Sequence, residues 1–228
     1  MSEVLRVGYV VEGPTGYIVL DALVEKFLGD KDYVPTQIQP PTSEYANHQG
    51  PLGGGWKGVL AWCAQVGATP GGFAQSLPLL NYDCLIIHVD ADIATDTDLQ
   101  LHGLSAPCPP AKDTCDRLRD HLIALLGNPL PSNVVLCIPA QCMEAWVFSA
   151  LHPDLVVSFQ PIECRQEVER LLIGKPDRLV RDHEGRARKE PQRYAKAAHR
   201  IAAGWPQAIG ACPEAQCFDN DCRVALPP

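Results

Sequence analysis

The sequence lacks several features that would place it at once in a common class. No run in its 228 residues approaches the ~18 consecutive apolar residues of a membrane-spanning helix, and Met1-Ser2-Glu3 has no basic start of a signal peptide. No G-x-S-x-G nucleophile turn and no H-E-x-x-H zinc helix occurs, and the seven histidines are dispersed. We therefore expect a cytoplasmic protein without a membrane partner, and neither a serine hydrolase nor a zinc protease of these kinds.

A phosphate-binding P-loop is also missing, although one segment is close to it. Residues 50–58 read Gly-Pro-Leu-Gly-Gly-Gly-Trp-Lys-Gly, so Trp56 separates the glycines from Lys57, and no Ser or Thr follows. A P-loop needs that lysine directly after the glycine and that hydroxyl on Mg²⁺. We expect a loop near the site that does not bind a nucleotide.

Ten cysteines are present, but without the C-x₂-C pairs of strong zinc motifs. Several lie in or beside predicted buried elements, where Cys acts as a small hydrophobic residue in a reducing compartment. We predict free thiols for the tail cluster of Cys212, Cys217 and Cys222, with a structural zinc as the less favoured alternative.

Short apolar runs alternate with amphipathic segments along the chain. Strands are predicted at 4–11, 33–39, 84–89 and 134–138, and helices at 17–28, 56–66, 112–126, 143–151, 163–173 and 191–203. Nearly continuous apolar runs of this length are typical of parallel strands buried on both faces. The sequence therefore predicts an α/β fold with a mainly parallel sheet of about four strands flanked by helices. We expect a catalytic core at 1–155 and a helical, basic C-terminal extension at 156–228 packed on it.

Carboxylates follow three of the predicted strands. Glu12 follows the first strand, Asp90 and Asp92 follow the third, and Glu144 lies in the helix after the fourth. Ligands of open α/β sheets bind beyond the carboxyl ends of the strands, and clustered carboxylates repel one another unless a cation such as Mg²⁺ or Mn²⁺ compensates. We predict a metal-dependent phosphoryl-transfer site. The competing interpretations are a surface turn, a solvated Asp-rich loop and, for Glu144, simple helix capping.

Charge is distributed unevenly along the chain, whose net charge is −8. Residues 165–200 hold eleven Lys or Arg against six Asp or Glu, a local net charge of +5. A basic surface beside an acidic metal pocket suits a nuclease. A solvated helical face of mixed charge is the alternative.

The ordered acids resemble the TOPRIM domain, the acid-rich α/β module of topoisomerases, primases and OLD-type nucleases. More narrowly, the chain resembles the small TOPRIM-like proteins grouped as domain of unknown function 4276. The resemblance is carried by residues 10–15, 86–92 and 138–146, and residues 174–176 and 189–196 resemble that family's basic C-terminal region.

This resemblance implies a Mg²⁺-dependent (or Mn²⁺-dependent) nuclease. Glu12 would bind metal or transfer a proton, Asp90 and Asp92 would bind metal, and Glu144 would assist a second ion. Lys189 or Lys175 would neutralise the cleaved phosphate. The residues expected to bind the nucleic-acid backbone are Lys175, Arg186, Arg188, Lys189, Arg193 and Lys196. The implied partners are DNA or RNA, an ABC-type ATPase in an anti-phage defence module, and a second copy of the chain as a homodimer.

Two other functions remain open from the sequence. Gly16 stands where many TOPRIM relatives carry Glu, which favours a non-catalytic TOPRIM-like partner or regulatory subunit. A phosphatase or other phosphotransferase acting on small substrates would use the same acids without the basic surface.

Overall fold

A computed structural model of the chain describes residues 4–41, 51–95 and 108–226. Its central sheet has four strands in the order β2-β1-β3-β4, and every neighbouring pair is parallel. The strands are β1 (Leu5–Val10), β2 (Tyr33–Gln39), β3 (Cys84–His88) and β4 (Val134–Cys137). The predicted α/β class with a parallel sheet of four strands is confirmed.

Helices cover both faces of this sheet. Within the described ranges they are α1 (Pro14–Leu28), α2 (Gly55–Gly67), α3 (Leu77–Asn81), α4 (Lys112–Leu126), α5 (Glu144–Leu151), α6 (Pro153–Val156), α7 (Pro191–Ala203), α8 (Trp205–Ala211) and α9 (Pro213–Ala225). Successive strand residues point to opposite faces, so Ile86 packs with α1, α5 and α7 to α9 while Ile87 packs with α2 and α4. The molecule therefore has three layers.

The first helix shows how local sequence sets the elements near the sheet edge. Pro14 occupies the first turn, where its fixed φ fits and its missing N–H is not needed. Leu20, Leu23 and Val24 are buried at helical spacing, and Gly29 ends the helix with a φ of 62°. Helix α1 thus begins three residues earlier than the predicted start at 17.

The chain after residue 155 shares one hydrophobic core with the part before it. Trp146 of α5 packs against Trp205 of α8 and Phe218 of α9, with ring centroids 5.7 and 5.8 Å apart. The Trp146 indole N–H also donates to Glu163 Oε1 at 2.7 Å. The expected boundary near 155 therefore does not separate two cores.

The predicted helix at 163–173 is wrong. The chain forms short 3-10 turns there, at Ile162–Cys164 and Val168–Leu172. Glu167 has a φ of 50°, a left-handed conformation that a right-handed helix cannot continue through.

A β-hairpin follows in a segment for which no strand was predicted. Strands β5 (Val180–His183) and β6 (Arg186–Lys189) pair antiparallel. The two turn residues, Glu184 and Gly185, both have positive φ, at 54° and 77°, as the tight turns of two-residue hairpins require. This hairpin carries Lys189 towards the central sheet. Helices α8 and α9 were also not predicted.

The cysteines depart from expectation at one pair. Cys108 and Cys164 form a disulfide, whereas the sequence predicted scattered free thiols. Cys212, Cys217 and Cys222 of the tail form no disulfide, and the choice between free thiols and a structural zinc there stays a prediction.

Two other expectations concern loops and membranes. Gly50, the first residue of the glycine-rich segment at 50–58, lies outside the described residues. Among the helices that the structure describes, none has the length and apolar character needed to cross a membrane.

Candidate functional site

Three of the predicted acids meet at the carboxyl edge of the sheet. Strands β1 and β3 are adjacent and parallel, so Glu12 and Asp90, which follow them, leave the sheet side by side. The backbone N–H of Asp90 donates to Glu12 Oε1 at 2.7 Å, joining residues 78 positions apart. Asp92 lies one turn further on, in the 3-10 turn Ala91–Thr95.

Two cavities open at this edge. The helix-side cavity, about 220 Å³, lies against the start of α1 and is lined by residues that include Glu12, Gly16, His88, Asp90, Glu144 and Lys189. The acidic cavity, about 350 Å³, is lined by residues that include Glu12, Asp90, Asp92, Glu167, Glu169 and Lys189. Glu12, Asp90 and Lys189 line both, so they form the wall between the two cavities.

Asp90 is fixed by donors on two sides. Its Oδ1 accepts from the backbone N–H of Met143 at 3.0 Å and lies 3.1 Å from His88 Nε2. Burial alone would raise the pKa of Asp90, but His88 and Lys189 outweigh it, and the pKa is lowered. The Asp90 carboxylate therefore stays charged and oriented.

His88, the last residue of β3, also belongs to the site. Its side chain is buried, and burial lowers its pKa, but Asp90 and Glu12 raise it by more, so the net shift is upward. Alternation along β3 places His88 and Asp90 on the same side of the strand, which is the sequence signal that identifies the pair.

The pKa values of Glu12 and Asp92 are raised, partly by nearby negative charge. Burial and the charge of Asp90 together raise the pKa of Glu12 to about 7. The same two causes raise the pKa of Asp92 to about 7. Asp92 is exposed at the surface, where water screens charge. The charge of Asp90 therefore acts more strongly on the partly buried Glu12 than on Asp92.

Glu144, the first residue of α5, is neutralised from within the protein. Its side chain is only 2% exposed, and Lys189 Nζ lies 2.7 Å from its Oε2, off the direction of a good hydrogen bond. The hydroxyl of Tyr194 donates to its Oε1 at 3.0 Å. Burial lowers the pKa of Lys189, but Glu144 and Asp90 raise it by more. Glu144 therefore faces the helix-side cavity as half of an ion pair, and no sequence signal indicated Tyr194.

The other predicted basic residues lie outside the two cavities. Arg186 and Arg188 on β6, and Arg193 and Lys196 on α7, are exposed. Lys175 stacks its Nζ over the Phe148 ring, 5.7 Å from the centroid. Of the two lysines proposed to neutralise phosphate, the structure brings Lys189 to the acids.

The donor set fits a hard divalent cation by its chemistry. Glu12, Asp90 and Asp92 supply carboxylate oxygens to one cavity, and their mutual repulsion is what a cation would relieve. Among the residues that the structure describes, no three His, Cys, Asp or Glu side chains already stand in position as a ligand set. Hydrogen bonds from His88 and the Met143 N–H orient Asp90, and the Asp90 N–H orients Glu12.

Comparison with protein-family models, curated proteins and solved structures finds no match for this chain.

Replacing Glu12 with glutamine is expected to stabilise the protein at alkaline pH. Because the folded-state pKa of Glu12 is raised from 4.5 to about 7, its stability contribution is complete below pH 4.5 and is lost as pH rises through about 7. Glu12→Gln removes that loss, so its free energy of unfolding at pH 8 should exceed that of the native chain by about 1–3 kcal/mol. This difference should shrink towards pH 5.

Urea unfolding at pH 5, 6, 7 and 8 measures this difference. Glu25→Gln, at an exposed position of α1, is the matched control and should follow the native curve. Adding Mg²⁺ should narrow the gap at pH 8, because a cation bound only by the folded native chain stabilises it. A difference that is the same at pH 5 and pH 8 would contradict the role given to Glu12.

Proposed function

We propose that this protein is a metal-dependent nuclease of the TOPRIM-like class that hydrolyses nucleic-acid phosphodiesters. The observation that carries the proposal is the acidic cavity, where Glu12, Asp90 and Asp92 gather against Lys189 at the carboxyl edge of a parallel sheet. Those three carboxylates would hold Mg²⁺ or Mn²⁺, and Glu144 would support the site through Lys189. The bound ion would activate water and stabilise charge on the phosphate oxygens.

The chain's own residues supply the remaining chemistry. His88 and the Met143 N–H keep Asp90 oriented. Glu12 lies in the acidic cavity, where it would bind the ion or, alternatively, accept a proton from water. Lys189 places a positive charge between the two cavities, where it can neutralise a phosphate oxygen.

The exposed face of the hairpin and of α7 favours a nucleic acid over a small phosphorylated molecule. Arg186 and Arg188 lie on the strand that ends at Lys189, and Arg193 and Lys196 lie three residues apart on the helix that follows. A phosphate backbone crossing these side chains would lead directly to the site.

The resemblance extends this proposal to partners. A TOPRIM-like nuclease of this size would act as the effector of an anti-phage defence module with an ABC-type ATPase, and as a homodimer.

One observation favours a second candidate, a non-catalytic TOPRIM-like regulatory subunit. Lys189 already serves as the counter-ion of buried Glu144, and Tyr194 donates to its Oε1. A site neutralised in this way can persist as a binding scaffold without a metal.

Cleavage of labelled DNA and RNA by the purified chain tests the proposal. We expect hydrolysis with Mg²⁺ or Mn²⁺, complete inhibition by excess EDTA, and recovery when the metal is restored. No metal-dependent cleavage of either nucleic acid, alone or with the ATPase, would instead support the regulatory subunit.

A charge-reversal variant separates a nuclease from a small-substrate phosphatase in the same experiment. Replacing Arg186, Arg188, Arg193 and Lys196 with Glu should weaken nucleic-acid binding. The slope of the logarithm of the binding constant against the logarithm of the salt concentration should become shallower by roughly 0.7–0.9 per lost phosphate contact. Hydrolysis of a small phosphodiester should be unaffected. The same reversal at Lys26 and Arg117, exposed or partly exposed outside the hairpin and α7, is the control.

A further inference from the structure

The helix-side cavity contains a polar surface that the proposed metal chemistry does not use. This surface is the first turn of α1, where Thr15 and Gly16 follow Pro14 and line the cavity. No side chain caps this end of the 15-residue helix, and its first turn holds no acidic residue. The first N–H groups of a helix have no carbonyl partner inside it, and with the helix dipole they attract anions.

His88 is directed at the same turn. Its side chain is 3% exposed, and its Nδ1 atom has no hydrogen-bond partner among the residues that the structure describes. A Cβ built on Gly16 would lie 3.0 Å from that Nδ1 atom, so the ring can approach the helix only because Gly16 has no side chain. Since Nε2 faces Asp90, Nδ1 is the ring nitrogen left for a ligand. A buried polar atom without a partner is costly, and a ligand that bonds to it removes that cost.

The two cavities differ in the number of acidic and basic side chains that line them. Five carboxylates line the acidic cavity with Lys189 as their basic neighbour. Three carboxylates line the helix-side cavity, where they meet both Lys189 and His88. Of these three, Asp90 is held by His88 and Met143, and Glu144 is paired with Lys189. A cation is therefore favoured in the acidic cavity, and the helix-side cavity is the less acidic of the two.

We propose that the first turn of α1, His88 Nδ1 and Lys189 form a phosphate-binding subsite beside the acidic cavity. The phosphate oxygens accept from the Thr15 and Gly16 N–H groups and from the Lys189 ammonium. His88 Nδ1 accepts from a phosphate hydroxyl when the ring is neutral, because Nε2 then donates to Asp90, and it donates to a phosphate oxygen when the ring is an imidazolium. The cavity of about 220 Å³ equals roughly seven water volumes of ~30 Å³, enough for a phosphate and its ester oxygens. The identification of this ligand rests on the proposed function. If the protein is a nuclease, the phosphate is a backbone or terminal phosphate of a nucleic acid.

Binding of inorganic phosphate to the full chain, followed by ³¹P NMR without divalent metal, tests the subsite. Gly16→Ala should weaken saturable phosphate binding at least about tenfold, because its Cβ occupies the space between the helix and His88. Alanine suits a helical position, so the fold should persist. Gly210→Ala in α8 is the matched control, because its Cβ would meet nothing within 4 Å, and it should bind phosphate like the native chain.

A second variant keeps the test independent of the effect of Gly16→Ala on folding. His88→Gln retains an amide that can reach Asp90 but removes the Nδ1 atom, and it should also weaken phosphate binding. Phosphate binding that is unchanged in both variants, or that does not saturate at tens of millimolar phosphate, would overturn the proposal.

Oligonucleotides identify the source of the phosphate. Binding of a 5′-phosphorylated strand, the same strand with a 5′-hydroxyl, and a circular strand is compared in the native chain and Gly16→Ala. Equal weakening of all three assigns the subsite to backbone phosphates, and weakening of the 5′-phosphorylated strand alone assigns it to a terminal phosphate. Failure of the proposed nuclease function can be distinguished from failure of the subsite. In the first case phosphate binding would still depend on Gly16, but metal-dependent cleavage would be absent.

Discussion

Replacing Asp90 with asparagine is expected to abolish metal-dependent cleavage while leaving the protein folded. Asparagine keeps the shape of the side chain and can still accept the Met143 N–H, but it removes the charge that both cavities share. Stabilisation of transition-state charge by a bound metal is worth several kcal/mol, so we expect a rate loss of about 10³-fold. Single-turnover cleavage with saturating Mg²⁺ measures it, and the unfolding midpoint verifies the fold.

The opposite end of the same strand provides the matched control. Asp83 immediately precedes β3, and its Oδ2 accepts the Arg6 N–H at 2.8 Å. Asp83→Asn makes the same chemical change away from the cavities, and it should cleave within about twofold of the native rate. If Asp90→Asn and Asp83→Asn cleave equally well, the acids at the carboxyl edge do not perform the reaction.

Replacing Lys189 with methionine is expected to cause the largest loss of stability at the site. Methionine retains an unbranched apolar side chain but removes the counter-ion of the buried Glu144 carboxylate, which keeps the hydrogen bond from Tyr194. Removing one partner of a buried ion pair costs about 3–5 kcal/mol; because the Lys189 side chain is 36% exposed, we expect about 2–3 kcal/mol from urea unfolding.

A double substitution separates the ion pair from other effects of Lys189→Met. Lys189→Met with Glu144→Gln removes both charges, and it should recover at least half of the stability lost in the single variant. Lys175→Met is the matched control, because this lysine packs over Phe148 outside the acid cluster, and it should cost less than about 1 kcal/mol. Equal losses for Lys189→Met and Lys175→Met would show that the Glu144 pair does not stabilise the fold.

The sheet and the position of its acids could be predicted from the sequence because their signals are local. Runs such as Leu85-Ile86-Ile87 are buried on both faces, and the carboxylates of Glu12 and Asp90 follow the ends of the first and third strands. Adjacent parallel strands end at the same edge, so Glu12 and Asp90 meet even though 78 positions separate them.

The C-terminal half of the site could not be predicted because its signals are not local. Strands β5 and β6 are short and rich in charged residues, so they lack the apolar alternation that marks a strand. Without the hairpin, nothing in the sequence distinguishes Lys189 from Lys175 as the lysine that reaches the acids. The hydroxyl of Tyr194 likewise finds Glu144 only through the packing of α7 on α5.

Two other features differ from the prediction because tertiary structure, and not the local sequence, determines them. The disulfide between Cys108 and Cys164 joins residues 56 positions apart, with no spacing motif to mark it. The failed helix at 163–173 has a suitable apolar pattern, but the left-handed Glu167 interrupts it.

Titration of the native chain with Mn²⁺, followed by electron paramagnetic resonance of the free ion, tests most directly whether Glu12, Asp90 and Asp92 jointly hold a divalent cation. We predict saturable binding in the native chain and in Asp83→Asn, and a loss of at least about tenfold in affinity in each of Glu12→Gln, Asp90→Asn and Asp92→Asn. Native affinity in all three site variants, or no saturable binding in the native chain, would contradict the account.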